Sequence, residues 1–139
     1  MATTALAAPL GRVLIAAIFL ISGWGKVTGY EGTQGYMESV GVPGALLPIA
    51  IILEIGGGLA IVVGWQTRIV AFLLAGFTLV TGYIFHFDPA DQMQFVSFLK
   101  NVAIAGGFLF LVAFGAGPLS IDNRNKASGS DPVNAPSRA

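Results

Sequence analysis

The stretch "IAIILEIGGGLAIVVG", from Ile49 to Gly64, places one carboxylate, Glu54, in an otherwise apolar run and follows it closely with three glycines. Together with its apolar neighbours, this run approaches the roughly 20 residues that a helix needs to cross a bilayer. A charge at the bilayer centre costs about 2.5–3.5 kcal/mol on insertion scales. We therefore expect Glu54 to face other helices and to meet a cation or hold a proton. The glycines would let a neighbouring backbone approach closely.

The composition extends this interpretation to the whole chain. Of 139 residues, 55% are hydrophobic and 10% are charged, and the mean hydropathy is +0.78. Soluble domains carry about 25% charged residues, so this chain lacks the polar surface that water requires. It is predicted to be an integral membrane protein of one domain. The formal net charge of zero argues against a nucleic-acid partner. The absence of cysteine removes disulfides, thiol redox chemistry and iron–sulfur ligation.

Four apolar runs are candidate membrane spans, which predicts an all-α four-helix bundle. They are Leu10–Trp24, Leu46–Val63, Ile69–Phe85 and Phe95–Phe114. The first run has no basic segment ahead of it, so we expect it to be retained rather than cleaved as a signal peptide. Residues 1–8 form a short N-terminal segment, 9–116 the transmembrane domain, and 117–139 a tail rich in Pro, Ser, Asn and Ala. This tail is predicted to be disordered.

Positively charged residues orient the predicted bundle, because cytoplasmic loops carry an excess of Lys and Arg. One side has Arg12, Arg68, Arg124, Lys126 and Arg138, and the other has Lys26 and Lys100. Both termini are therefore predicted to be cytoplasmic.

Polar residues at the non-cytoplasmic side converge above Glu54. They are Lys26, His86, Lys100 and Asn101. Glu54 would be the floor of a polar pocket, with Lys100 about 10 Å away in depth by helix rise. Two interpretations of Glu54 remain open: a structural ion pair or hydrogen bond that joins helices, and a ligand or proton site. A single histidine at a helix end is also compatible with a simple interfacial residue.

Arg12 completes the set of candidate intramembrane site residues. It shares a face of the first helix with Lys26, fourteen residues or about 21 Å further along. The alternative for this pair is two cations that extend to opposite interfaces. The glycines predicted to serve helix packing are Gly23, Gly57, Gly58, Gly106 and Gly107. One histidine and no cysteine cannot supply a haem, zinc or copper site, so no metal or other redox centre is expected in the chain itself.

Several motifs in this order resemble the DoxX family of small membrane proteins. They are "FLISGWGK", "GTQGYMESVGVP", "LEIGGGLAIVVGWQTR", "FHF", "FLKNVAIAGGFLF" and "GAGPLSID", and they extend over about residues 10–122. The resemblance implies a four-helix protein of a prokaryotic cell (inner) membrane. It also places Arg12, Lys26, Glu54, Lys100 and Asn101 on recurrent polar positions of the family, and His86 on its "FH".

The family resemblance also implies a function. The family takes its name from a subunit associated with a terminal quinol oxidase, and relatives belong to other membrane oxidoreductase complexes. The prediction is therefore an accessory or quinone-proximal subunit of a membrane oxidoreductase, with a quinone as the candidate cofactor. Its partners would be the lipid bilayer and either other oxidoreductase subunits or further copies of itself. The alternative is a small-solute or proton-coupled transporter that acts as an oligomer.

Overall fold

The computed structural model describes residues 2–129, with side chains from residue 5 to residue 125. This part of the chain folds into six α-helices and one short 3-10 turn, and it contains no strand. The helices are α1 (Ala2–Thr28), α2 (Tyr30–Ser39), α3 (Leu47–Val63), α4 (Thr67–His86), α5 (Gln92–Phe114) and α6 (Ile121–Gly129). The 3-10 turn, Gly44–Leu46, directly precedes α3.

Four of the helical segments within the described residues are long and apolar enough to cross a membrane. They are Ala5–Thr28, Gly44–Val63, Thr67–His86 and Gln92–Phe114. The predicted all-α membrane bundle of four spanning helices is thereby confirmed, and each spanning segment begins two to five residues earlier than the apolar run that predicted it. The bundle has two ends. We call them the Arg12 end and the His86 end, after the polar residue of α1 or α4 that lies nearest each.

Two helix pairs form the bundle: α1 packs closely on α3, and α4 packs closely on α5. A buried apolar layer joins the pairs, and its members are Ala16, Phe19, Ile61, Ala71, Leu74, Ala75, Ala105 and Phe108. Within it the rings of Phe19 and Phe108 meet edge to face, with centroids 5.3 Å apart. This layer separates the two ends of the bundle.

Local sequence explains how the helices end. Gly64 terminates α3 with φ of 72°, a left-handed conformation in which its N–H bonds back into the last turn. Asp91 begins α5, and its carboxylate accepts hydrogen bonds from the N–H groups of Met93 and Gln94. The tight turn between α3 and α4 keeps these two helices antiparallel, so that Glu54 of α3 faces the second half of α4.

The segment predicted as a disordered tail begins with ordered structure. Residues 121–129 form α6, and the backbone N–H of Asp122 donates to the carbonyl of Gly64 at 2.9 Å. Its carboxylate accepts from the N–H groups of Gln66 and Thr67 at 2.8 and 2.9 Å. The tail composition predicted disorder, but these contacts hold the start of the segment against the bundle. Residues 130–139 of the predicted tail lie outside the described residues.

Candidate ligand cavity and its buried ion pair

A cavity of about 640 Å³ lies at the His86 end of the bundle. Residues from α1, α2, α3, α4 and α5 line it, and most of them are apolar. This volume lies within the range of about 300–1,000 Å³ that is usual for small-molecule pockets. The polar lining residues are Ser22, Lys26, Thr33, Glu54, Thr78, Thr81, His86 and Asn101. The cavity therefore has the mixed character of a ligand site: apolar walls with a few polar groups.

An ion pair between Lys26 and Glu54 forms the charged part of the cavity wall. The Lys26 ammonium donates to Oε1 of Glu54 at 3.0 Å and to the hydroxyl of Ser22 at 2.7 Å. The Ser22 hydroxyl in turn lies 3.5 Å from the same carboxylate oxygen. The Glu54 side chain is 6% exposed, and that of Lys26 is 25% exposed. The pair therefore joins the end of α1 to the middle of α3 and neutralises the buried carboxylate.

The second carboxylate oxygen of Glu54 lacks a hydrogen bond within the described residues. Oε2 lies 3.0 Å from the Lys26 nitrogen, but it makes no hydrogen bond within the described residues. The contact is thus an ion-pair contact without the alignment of a hydrogen bond. A buried acceptor without a donor lowers the stability of the folded state. This oxygen is therefore suited to accept a hydrogen bond from a bound molecule or to hold a proton.

Residues of α4 and α5 supply the polar groups on the opposite wall. Asn101 donates from Nδ2 to the carbonyl oxygen of Thr78 at 3.3 Å, across the α4–α5 contact. The ring nitrogen Nδ1 of His86 lies 2.9 Å from Oε1 of Gln94. The Thr81 hydroxyl donates to the carbonyl oxygen of Phe77 at 2.8 Å and, less closely, to that of Thr78 at 3.3 Å. Asn101 and His86 thus have fixed positions facing the ion pair.

Helix α2 covers the cavity at the His86 end. Its residues Thr33, Tyr36 and Met37 line the cavity, and the ring of Tyr36 stacks on Phe85 of α4 with centroids 5.6 Å apart. The side chain of Gln34 donates to the carbonyl of Gly44 at 3.2 Å and so holds α2 to the turn before α3. The long loop between the first two spans is therefore a helical cover over the site.

The cavity also reaches the lateral surface of the bundle. Ile49 of α3 and Val80 of α4 both line it, and they are 63% and 58% exposed. These two side chains lie on helices that pack less closely on each other than on α1 and α5. An apolar molecule could therefore enter from the membrane between α3 and α4.

The structure brings four of the six predicted site residues together. Lys26, Glu54, His86 and Asn101 all line the cavity. Lys100 does not, because its side chain lies on the exposed side of α5, and Lys26 is the cation that meets Glu54. Asn101, one residue later, points inward. Lys100 therefore lies outside the polar pocket that the sequence predicted above Glu54.

Arg12 lies at the other end and serves a separate network. It is 1% exposed, and its guanidinium donates to the carbonyls of Ile61 and Val62 at 3.3 and 3.0 Å. It also donates a hydrogen bond to the carbonyl of Leu119. These acceptors are the last turn of α3 and the segment before α6. The network joins α1, α3 and the C-terminal segment without facing the cavity.

The predicted packing glycines differ in what surrounds them. A Cβ at Gly23 would lie 2.6 Å from Ile55, and at Gly58 it would lie 2.8 Å from Leu20. A Cβ at Gly57 would approach Leu74 at 3.3 Å, and at Gly107 it would approach Ile15 at 2.9 Å. Gly106 meets nothing within 4 Å. Four of the five therefore lie at close helix contacts, while Gly106 faces away from the bundle.

Sequence reasoning missed the contributions of Ser22, Thr81 and α2 to the cavity. Ser22 lies four residues before Lys26, so helical spacing alone could have placed it beside the ammonium. Thr78 and Thr81 are short hydroxyl residues within an apolar helix, where they usually bond to their own backbone. Within residues 2–129, no three His, Cys, Asp or Glu side chains are grouped so as to hold a metal ion.

Comparison with known proteins identifies relatives of this chain. The family model described as DoxX matches residues 7–87. Inner membrane protein YqjF of Escherichia coli is 51% identical over 113 residues, which cover 81% of this chain and 87% of that protein. Inner membrane protein YphA of the same organism is 38% identical over 122 residues, 83% of this chain and 87% of that protein.

A more distant relative comes from Bacillus subtilis. The protein named "Putative oxidoreductase CatD" is 36% identical over 64 residues, 46% of this chain and 48% of that protein. No solved structure matches the chain. The family match over residues 7–87 and the two E. coli relatives over more than four fifths of the chain together show that this protein belongs to the DoxX family.

Proposed function

We propose that this protein is an accessory subunit of a membrane oxidoreductase and that its cavity binds the head group of a quinone. The observation that carries the proposal is the apolar cavity with the Lys26–Glu54 pair on one wall and Asn101 and His86 on the other. A quinone head group is a flat apolar ring with two carbonyl oxygens, which need donors on opposite sides. The lateral opening between α3 and α4 suits a molecule with an apolar tail that resides in the bilayer.

The residues of the cavity have distinct parts in this proposal. Lys26 and Asn101 would donate to the carbonyl oxygens, and His86 would stand as a further donor or acceptor. When bound, a quinone supplies two-electron, two-proton redox chemistry. Glu54 could hold or release a proton at Oε2, the oxygen without a hydrogen bond within the described residues. Electrons would come from a redox centre in another subunit. The name of the B. subtilis relative agrees with this class of function.

The transporter alternative has less support. A substrate path would have to continue from Glu54 to the Arg12 end through the buried layer around Leu74 and Phe108 and past the three carbonyls that Arg12 binds. A site that α2 covers at the His86 end and that reaches the lateral surface between α3 and α4 is better suited to binding a membrane-soluble molecule than to moving a solute across.

Equilibrium binding of a short-chain quinone to the purified protein in lipid nanodiscs tests the proposal. Two lysines of the chain form a matched pair: Lys26 lines the cavity, and Lys100 lies outside it. We expect Lys26→Met to raise the Kd at least tenfold and Lys100→Met to leave it unchanged. No binding by the unaltered protein, or equal losses in both variants, would reject the cavity as the quinone site.

We also propose that both termini are cytoplasmic, which would place the cavity toward the outer side of the membrane. The proposal rests on the excess of Lys and Arg at the Arg12 end. A cysteine introduced at Thr33 should react with an impermeant thiol reagent in intact cells, and one at Ser128 should not. The reverse pattern would invert the orientation.

A further inference from the structure

Lys100 is a charged residue that the cavity does not use. It follows Gln92, the first residue of α5, by eight residues, or about 12 Å along the helix at roughly 1.5 Å per residue. Its side chain is exposed, and within the described part of the chain it makes no hydrogen bond or ion pair. An ammonium at this depth on the lipid-facing side of a helix is energetically costly unless an opposite charge or a polar group pairs with it.

The helix that carries Lys100 is the least covered of the four spanning helices. Only 11% of the apolar window of α5 is buried, against 17%, 33% and 28% for the windows in α1, α3 and α4. Its outer face consists of Leu99, Lys100, Ala103, Gly106 and Phe110, which fall on one side at helical spacing. Ala103 is exposed, and a Cβ at Gly106 would meet nothing within 4 Å. This face thus combines an unpaired cation with small residues that permit close approach of another helix.

We infer that the outer face of α5 binds a transmembrane helix of a different protein, and that an Asp or Glu in that helix pairs with Lys100. Polar groups in membranes pair with one another across helices, so a carboxylate at matching depth is the complement that this face lacks. The inference rests on the proposed role as a subunit, but not on the ligand of the cavity.

A second copy of this chain does not supply the missing charge. Glu54 is the one acidic residue within the four spanning segments. Its side chain is 6% exposed, and Lys26 already neutralises it. Two copies that met through their α5 helices would bring two ammonium groups together. The partner is therefore a different protein.

A lipid phosphate is the competing ligand for Lys100, since lysines near helix ends extend to the interface. An extended lysine would need no small residues beside it, however, and would leave the uncovered face of α5 without explanation. The two possibilities predict different neighbours for the middle of this face.

Photocrosslinking in the native membrane tests the inference. A benzophenone amino acid replaces Ala103 on α5 or, as a control, Ile52, which is 71% exposed on α3. We expect an adduct of defined mass from position 103 and none from position 52. The crosslinked peptide should come from a membrane-spanning segment of another protein and contain Asp or Glu. Adding Lys100→Met should lower the adduct yield at least tenfold, while Lys100→Arg should keep it.

Three outcomes would overturn the inference: an adduct with a second copy of the chain, an adduct with lipid alone, and a protein adduct that survives Lys100→Met. Quinone binding in the same variants separates this inference from the proposed function. Lys100→Met should lose the adduct and keep the quinone, whereas Lys26→Met should lose the quinone and keep the adduct.

Discussion

The two ends of the bundle each hold a cation of α1, but they use it in opposite ways. At the Arg12 end the guanidinium is 1% exposed and binds three backbone carbonyls. At the His86 end Lys26 is 25% exposed and meets a single carboxylate beside a cavity of about 640 Å³. The planar guanidinium has five N–H donors, which suits the several carbonyls at a helix end. The ammonium of Lys26 lies on a flexible stem, which suits a site where a ligand binds and leaves. At the Arg12 end the cation is thus fixed among backbone acceptors, whereas at the His86 end it lines a cavity.

Removal of the guanidinium should produce the largest effect. Arg12→Met leaves the carbonyls of Ile61, Val62 and Leu119 without their charged donor. Hydrogen bonds to charged groups contribute about 1.5–3 kcal/mol each, so we expect a loss of about 5 kcal/mol in the free energy of unfolding. Reversible unfolding in mixed micelles measures it.

A matched variant separates charge from geometry at this position. Arg12→Lys keeps the charge but cannot bind three separated carbonyls at once, so it should recover less than half of the loss. Stability of Arg12→Met within about 1 kcal/mol of the original protein would mean that the Arg12 end is not held by this network.

Loss of the Glu54 carboxylate at the His86 end should lower the free energy of unfolding by a smaller amount. Glu54→Ala leaves the Lys26 ammonium unpaired, and breaking a buried pair costs about 3–5 kcal/mol. We expect about 3 kcal/mol, the lower limit of that range, because Lys26 is partly exposed and can recruit water. Glu54→Gln keeps the shape, so it should fold with a smaller loss and yet change quinone binding.

The double variant Lys26→Met with Glu54→Leu removes both charges and should be nearly as stable as the original protein. The same unfolding assay measures it beside the two single variants. If the double variant is as unstable as Glu54→Ala, the loss reflects packing rather than an uncompensated charge, and the ion pair is not what holds α1 to α3.

The smallest effect concerns Asp122 and depends on pH. Burial tends to raise the pKa of Asp122, but the N–H groups of Thr67 and Gln66 and the nearby guanidinium of Arg12 outweigh it and lower the pKa below its usual value. The carboxylate therefore stabilises the folded state above its unfolded pKa of 3.8, and this contribution is lost as pH falls through the lowered folded pKa.

Asp122→Ala should lower the free energy of unfolding by about 1 kcal/mol at neutral pH, the usual loss when a helix cap is removed. The difference in melting temperature between the variant and the original protein should narrow when the pH is lowered from 7 to 3. Asp88→Ala, in the loop at the His86 end, serves as the control and should show little change at either pH. A difference that stays constant across this range would mean that the charge of Asp122 does not stabilise the α4 N-terminus.

The sequence predicted the fold well because the membrane imposes simple rules. Apolar runs of sufficient length become helices, since every backbone group must be bonded internally, and Glu54 in such a run must face the protein. These two rules placed the four spans and the carboxylate. They could not choose between Lys26 and Lys100 as its partner, because both lie near the same end and the choice depends on how α1 and α5 are rotated about their axes.

The remaining features depend on contacts between distant parts of the chain. The carboxylate of Asp122 accepts hydrogen bonds from the backbone N–H groups of Gln66 and Thr67, and no local sequence pattern links those positions. The segment at Ile121 has the composition of a loop, and only its docking on the α3–α4 turn explains why it is ordered. Similarly, α2 forms a cover because Tyr36 stacks on Phe85, a contact that composition does not indicate.

The long sequence separations in the Arg12 network have a consequence for biosynthesis. Arg12 is made about 50 residues before Ile61 and Val62, and 107 residues before Leu119. At a synthesis rate of about 5–20 residues per second, the first acceptors follow after roughly 2–10 s. Until then α1 contains a cation that is costly to expose to lipid. We therefore expect α1 to pack stably only when α3 arrives beside it, and the hydrogen bond from Arg12 to Leu119 can form only after all four spanning helices have been made.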